Sequence, residues 1–247
     1  MHRFYCPNAD FSSKEITLTD KEEIHHLRDV LRLKPPGLIQ LFDGKGKEAT
    51  ATICSISPQK VVVAVEKLTH APVQTLTLTL ACAIPKKSKF ETIIEKATEL
   101  GVDEIIPLKT KRTEVDLKGE RLHKKLARFQ TVAVNAAKQC QRERLPIIHP
   151  TMEFQSAVDK LTADSFIVIP ALIKKRKKLF EALPAVKDNL KIAILIGPEG
   201  DFTPEEYSYA LEKGAHPVSL GKTVLKVETA ALSALAGIQL FYQHEPS

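Results

Sequence analysis

The sequence predicts an α/β protein in two parts, a small β-barrel carrying one helix and then an α/β domain on a largely parallel sheet. Three observations predict it. β-branched runs around a glycine turn fill most of the first 70 residues, strands and helices alternate from Leu76 onward, and two of the later strands run straight into glycine-bounded loops. At 247 residues the chain is long enough for one or two domains with a proper core. Its composition, 43% apolar and 27% charged with 10 Gly and 15 Pro, is globular and excludes collagen-like and low-complexity classes.

In the first part, Asp20 caps a helix whose Ile24, Leu27, Val30 and Leu31 share a face. "LIQLFDGKGKEATATICSIS" places two extended runs around a turn at Asp43 to Gly46, and "KVVVAVEKL" adds a strand. His70, Ala71 and Pro72 form a linker, so the domains span 1–72 and 73–247. "LTLTLACAI" is then a buried strand, and Ser88 with Glu91 forms a capping box for a helix. Phe90, Ile93, Ile94, Ala97 and Leu100 give that helix its apolar face, and Gly101 ends it. "VDEIIPL" is the next strand. A long helix from about Lys118 to Cys140 follows, with Leu122, Leu126, Phe129, Val132, Ala133 and Ala136 on one side. Further strands fall at Ile147, "SFIVIPAL", "LKIAILIG" and "PVSLG", and the last helix covers about Glu228 to Tyr242.

Charge is unevenly placed. Basic minus acidic residues is 36 − 30 = +6 for the chain, divided as 10 − 9 in residues 1–70, 15 − 9 in 71–150 and 11 − 12 in 151–247. The excess therefore lies in the middle third, as a nucleic-acid face or as helix solvation. Cys6, Cys54, Cys82 and Cys140 are too far apart for a C-x-x-C pair or a disulfide framework, and the eight histidines show no metal spacing. No metal is expected. The start has no apolar run of signal length, and no stretch approaches the ~20 apolar residues that span a bilayer, so a soluble cytoplasmic protein is expected.

The most informative segment is Ile196 to Glu206, "IGPEGDFTPEE". An apolar strand enters a loop bounded by Gly197 and Gly200, and the next helix starts with Thr203 as cap, Pro204 at its first position and Glu206 closing a capping box. Ligands of open α/β sheets sit beyond the carboxyl ends of strands, where this loop lies. A tight turn with positive φ at Gly200 is the competing reading. "SLGKTVLKVETAALSAL" repeats the arrangement from Gly221 to a helix of small residues. Its "GKT" is no P-loop, because His216 stands where that motif needs its first Gly, and no G-x-G-x-x-G occurs, so neither ATP nor NAD is indicated. "VNAAKQCQRER" is the polar end of the long helix.

"FETIIEKATELGV", "IIPLKTKRTEV", "AAKQCQR", "LIGPEGDFTPEE" and "SLGKTVLKVETAALSAL", in this order and spacing, resemble the RsmE family of 16S ribosomal RNA uridine methyltransferases of the SPOUT superfamily. "HRFY" and "HHLRDVLRLKPPGLIQLFDGKG" resemble that family's small RNA-binding domain, so the likeness covers nearly the whole chain. It implies a PUA-like β-barrel followed by a SPOUT-type α/β domain with a C-terminal trefoil knot, the knotted region running from about 165 to 240. It also implies a homodimer that uses S-adenosyl-L-methionine to methylate ring nitrogen N3 of a uridine in the decoding region of 16S rRNA, in the assembled small subunit. The cofactor then lies against Leu172, against Ile196, Gly197, Pro198, Glu199 and Gly200, and against Ser219, Leu220, Gly221, Val224, Leu225, Val227 and Thr229.

In this frame Arg142 steadies negative charge on the uracil oxygens, Gln139 orients the base, and Lys226 is a second candidate for the charge. Glu199 and Glu228 are the nearby carboxylates, each equally able to cap loop amides. Arg3, Arg28, Arg32, Lys86, Lys87, Lys89, Lys111 and Arg112 are the expected phosphate contacts. Three positions depart from the family pattern: Lys138 replaces a common Glu, Lys226 a usual Arg, and Asp201 a common Gly. A methyltransferase of the same fold acting on another RNA such as tRNA, or a non-catalytic RNA-binding protein, remains compatible with the sequence.

Overall fold

The computed structural model describes residues 1–86, 89–113, 119–185 and 189–243, which form two compact units. The first comprises 1–73 and 137–145, the second 74–136 and 146–247. Lys87 and Ser88, and with them the expected cap of the first α/β helix, lie outside the described residues.

In the first unit, β1 (Arg3–Tyr5), β2 (Glu15–Leu18), β3 (Leu38–Phe42), β4 (Lys47–Ile56) and β5 (Val61–His70) form a five-stranded sheet in the order β1-β3-β4-β5-β2. β1 runs parallel to β3 and the remaining pairs are antiparallel. Two register shifts in β4, at Thr50/Ala51 and Ile53/Ser55, let the sheet curl into a half-barrel. Its concave side holds Phe4, Leu27, Ile39, Leu41, Ile53, Val61 and Val63. The helix capped by Asp20 is α1 (Lys21–His25), with the Asp20 carboxylate accepting from Glu22 N and Glu23 N at 3.0 and 2.9 Å. It then widens into a π-helical turn, His26–Val30, where Leu31 N donates to His26 O at 2.9 Å. That extra residue rotates Val30 to 57% exposure, so the expected four-residue apolar face reduces to buried Ile24 and Leu27 with partly buried Leu31.

In the second unit, strands β6 (Leu76–Ala83), β7 (Glu104–Lys109), β8 (Ile147–Ile148), β10 (Phe166–Pro170), β11 (Lys177–Lys178), β12 (Leu190–Ile196) and β13 (His216–Ser219) line up as β11-β13-β10-β12-β6-β7-β8, and β9 (Met152–Glu153) also pairs with β7. Every pairing is parallel. The central strands are apolar on both faces because both are covered. Leu78, Leu80, Ile192, Ile194 and Ile196 face α2 (Lys89–Glu99), α3 (Gly119–Cys140) and α7 (Val227–Gln243). The alternate residues Ala81, Ala193 and Leu195 face α4 (Phe154–Thr162) and α6 (Pro204–Glu212). A short helix α5 (Leu179–Ala182) completes the unit. Gly101 ends α2 at φ 85°, and a Cβ there would sit 2.3 Å from Gln239 Nε2, so only glycine fits against α7.

The carboxyl end of α3 groups with the first unit, because buried charges hold it there. Arg3 forms an ion pair with Glu48, lies over the Phe42 ring at 4.3 Å, and donates from Nη1 to Ala137 O and Arg142 O at 2.9 and 3.1 Å. Its side chain is 2% exposed, so the phosphate contact expected of Arg3 is corrected: the guanidinium caps helix carbonyls, a favourable charge at a helix C-terminus. Lys138 donates to both carboxylate oxygens of Glu23 at 2.8 Å.

The Lys138–Glu23 pair yields a stability prediction. Burial pushes the Glu23 carboxyl up, and Lys138 with the Tyr5 amide opposes that rise. Replacing Lys138 by Met strands a buried carboxylate, with an expected loss of about 2–3 kcal/mol in urea unfolding for this nearly buried pair. Glu23→Met in the same chain should restore more than half of it. Equal destabilisation by the single and double substitutions would refute a coupled pair.

Candidate functional site

Strands β13, β10 and β12 are adjacent and parallel, so their carboxyl ends leave the sheet on the same side. Three loops start there: after Pro170, after Ile196 and after Ser219. Between them lies a cavity of about 390 Å³. Its walls are apolar where Leu172, Ile196, Leu220, Val224, Leu225 and Val227 meet, and polar where main chain and a few charged side chains converge. A concave, mostly apolar site with few polar groups is the usual form of a small-molecule pocket.

Of the residues expected to hold a cofactor, Leu172, Ile196, Gly197, Pro198, Glu199, Ser219, Leu220, Gly221, Val224, Leu225 and Val227 line this cavity. Gly200 and Thr229 stand off its wall. Lys226, expected to act in catalysis, is on it, as are five groups outside the expected set: Lys89, Arg176, Asp201, Thr223 and Glu228. Gln139 and Arg142 are carried by the end of α3 and the residue pair after it, in the first unit. Among the described residues no group of three His, Cys, Asp or Glu side chains could hold a metal ion.

The loops are tied down from two neighbouring segments. Lys86 N donates to Glu199 Oε1 at 3.0 Å, so Glu199 acts as a loop tie. Arg112 Nη1 donates to Gly200 O at 2.5 Å, and Lys111 N to Glu206 Oε1 at 2.9 Å, while Glu206 Oε2 accepts from Thr203 N in the expected capping box. In the third loop, Gly221 has φ 142° and donates its N–H to Ser219 Oγ at 3.3 Å, a turn that bares main chain toward the cavity. Arg176 donates to Ala171 O and Ile173 O at 2.8 and 3.2 Å and fixes the first loop. Lys89 Nζ pairs with Glu228 Oε1 at 3.0 Å.

The left-handed residue of the second loop is Asp201, at φ 62°, and not Gly200. Aspartate tolerates that conformation because its short side chain bonds locally. Here Asp201 Oδ1 accepts from Phe202 N and from Tyr207 Oη, both at 2.8 Å. Burial and the Asp201 carboxylate push the Tyr207 phenol well above its ordinary range, so it stays a donor. The departure from a common Gly thus has a local reason. Glu228 is the other cavity carboxylate of note. Burial raises it, but its own backbone amide, the hydrogen bond and charge of Lys89, and the charge of Lys226 bring it below the usual range.

Comparison with known proteins adds to this geometry. A family model for the RNA methyltransferase domain matches residues 72–239, and one for the RNA methyltransferase PUA domain matches residues 18–66. The chain is similar to ribosomal RNA small subunit methyltransferase E of Rickettsia conorii, 31% identical over 98% of this chain and 97% of that protein. It is 33% identical to the Synechocystis protein of the same name over 90% of this chain and 72% of that one. The crystal structure of ribosomal RNA small subunit methyltransferase E from Neisseria gonorrhoeae bound to S-adenosyl methionine superposes with a TM-score of 0.87 at 31% identity, covering 98% of each chain.

Asp201→Gly tests the loop's construction. Glycine removes the left-handed cost but leaves the buried Tyr207 hydroxyl without its acceptor, and a net loss of about 1 kcal/mol is expected in chemical unfolding. Asp201→Asn keeps both the conformation and the acceptor and should stay within about 0.5 kcal/mol of the parent. A glycine variant as stable as the parent would contradict this assignment.

Proposed function

The chain belongs to the RNA methyltransferase family, and from that premise we propose that it transfers a methyl group from S-adenosyl-L-methionine to ring nitrogen N3 of a uridine in the decoding region of 16S rRNA, within the assembled small subunit. The observation that carries the reading is the three-loop cavity at the carboxyl ends of β13, β10 and β12, in a chain whose relatives are named for methylating small-subunit rRNA. When bound there, the cofactor supplies a methyl carbon activated by a positive sulfonium. Leu172, Ile196, Leu220 and Leu225 would wall its adenosine, and the main chain of 197–199 and 219–221 would bond its edges.

The chain's own contribution is alignment and charge. In-line displacement needs the uracil nitrogen behind the methyl carbon, and that nitrogen must lose its proton to become nucleophilic. Arg142 is assigned to steady the charge that then spreads over the ring oxygens, Gln139 to orient the base, and Lys226 to a second, weaker share of the charge. Glu199 is tied to Lys86 N and Glu228 is held ionised, so neither is set up as a strong base.

Arg32, Lys86, Lys111 and Arg112 are exposed and remain proposed phosphate contacts. Arg28 is half-buried and already makes two 2.7 Å bonds to Asp29, so a phosphate must compete for it. Lys89 is reassigned to the cavity wall. Exposed Leu240 and the stacked, exposed Phe180 with Phe241 support a homodimer, since such apolar surface favours cover. The order in which β13, last in the chain, lies between β10 and β11 is in line with a SPOUT-type knot over about 165–240. A ribosomal substrate places the protein in the cytoplasm.

The test uses purified chain, labelled cofactor, unmodified small subunits and, separately, naked rRNA, with the methylated position mapped by mass spectrometry. The expected product is N3-methyluridine on assembled subunits, with a much lower yield on naked rRNA. Arg142→Ala should lower the rate by about 100-fold or more with cofactor affinity retained. Methylation at another atom, or only on tRNA, would overturn the proposal.

A further inference from the structure

Glu228 carries a feature the reading above leaves unexplained. Its Oε1 pairs with Lys89 at 3.0 Å, yet its Oε2 is buried and has no hydrogen-bond partner among the described residues, on a side chain that lines the cavity. A charged acceptor left in this state is costly, and native sites supply a donor. Resting on the assignment of this cavity to S-adenosylmethionine, we propose that Glu228 accepts a hydrogen bond from the α-ammonium group of the cofactor's amino-acid part.

The chemistry of the cavity selects that group. Glu199 accepts from Lys86 N, Asp201 accepts from Phe202 N and Tyr207 Oη, and Arg176 is engaged with two carbonyls, so these charged side chains are already committed to holding the loops. Glu228 has acceptor capacity to offer. The sulfonium has no N–H to donate, and the adenine amino group and ribose hydroxyls are neutral donors. The ammonium carries both protons and positive charge, and a charge-assisted bond is roughly twice as strong as a neutral one. A proton taken from uracil is the poorer use of this oxygen, because Lys89 and Lys226 stabilise the ionised carboxylate and weaken it as a base. Lys89 then acts as a positioning residue, turning Oε1 outward to itself and leaving Oε2 for the ligand.

Calorimetric titration of the full chain tests this without any turnover. The ligands are S-adenosylmethionine, S-adenosylhomocysteine, the des-amino analogue of S-adenosylhomocysteine, and methylthioadenosine, which lacks the amino-acid part. Glu228→Gln should weaken the first two alike by about tenfold or more and leave methylthioadenosine unchanged. Loss of the amine should weaken binding to the parent protein to a similar degree and have little effect on the variant. An equal loss for methylthioadenosine, or variant affinities within about twofold of the parent for all four ligands, would overturn the proposal. Should the variant fail to fold, the parent alone decides: des-amino binding as tight as that of S-adenosylhomocysteine overturns it. If the parent bound none of the four ligands, the cofactor reading itself would fall and this proposal with it. Parent binding without coupling to the amine removes only the role of Glu228.

Discussion

Three parallel strand ends on one side of a covered sheet are the constraint from which the rest of the second unit follows. Because β13, β10 and β12 are neighbours and run the same way, their loops must emerge together, and whatever lies between them is walled by strand-end apolar groups and loop main chain. The alternation of Leu78, Leu80, Ile192 and Ile194 with Ala81, Ala193 and Leu195 buries both faces of that sheet, which makes the loops' footing rigid. The loops themselves have little core of their own. Their shape comes from ties: Glu199 to Lys86 N, Arg112 to Gly200 O, Glu206 to Lys111 N and Thr203 N, and Arg176 to Ala171 O.

These ties change the meaning of the positive middle third. As a charge count it suggested an anionic partner and nothing finer. In the structure part of that charge is internal bookkeeping: Lys89 meets Glu228, Lys138 meets Glu23, Arg128 meets Glu91 and Arg112 meets loop carbonyls. The segments after β6 and β7 therefore hold the cofactor loops with some of the same residues whose charge would draw in RNA. Neutralising Arg112 or Lys89 cannot be a clean probe of phosphate contact, whereas exposed Arg32 lies in the other unit and has no part in these ties.

Much of the fold was legible because its signals are local. Apolar runs of strand length, the Thr203 cap and Gly101 at φ 85° each declare themselves within a few residues, and the loops at Ile196 and Ser219 followed from strands ending in glycine. What was not legible depends on distance in sequence. Lys89 and Glu228 are 139 positions apart, and nothing near either one announces the pair. Arg3 was indistinguishable from a surface arginine until Glu48 and the α3 carbonyls closed around it. The π-helical turn after His25 and the left-handed Asp201 escaped for another reason: periodicity assumes a fixed turn, and glycine was the expected bearer of positive φ. The short strands β1, β2, β9 and β11 are too brief to show alternation.

The end of α3 shows how a departure from a family pattern can be structural. Arg3 caps its carbonyls, and Lys138 reaches both oxygens of Glu23. Gln141 at φ 61° closes the helix so that Arg142 N returns to Ala137 O at 3.1 Å. A few residues on, Leu145 N donates to Gly44 O at 2.9 Å and Arg144 Nη1 to Lys45 O at 2.8 Å. Gln139 and Arg142 thus stand on a segment held at both sides by buried or main-chain bonds, the support that a charge-stabilising group needs if it is to lose little by reorganising during reaction. A lysine at 138 in place of a glutamate need not alter the chemistry at all. With Glu23 opposite it, the charge is answered inside the first unit, and the helix end it braces keeps the geometry on which Arg142 depends.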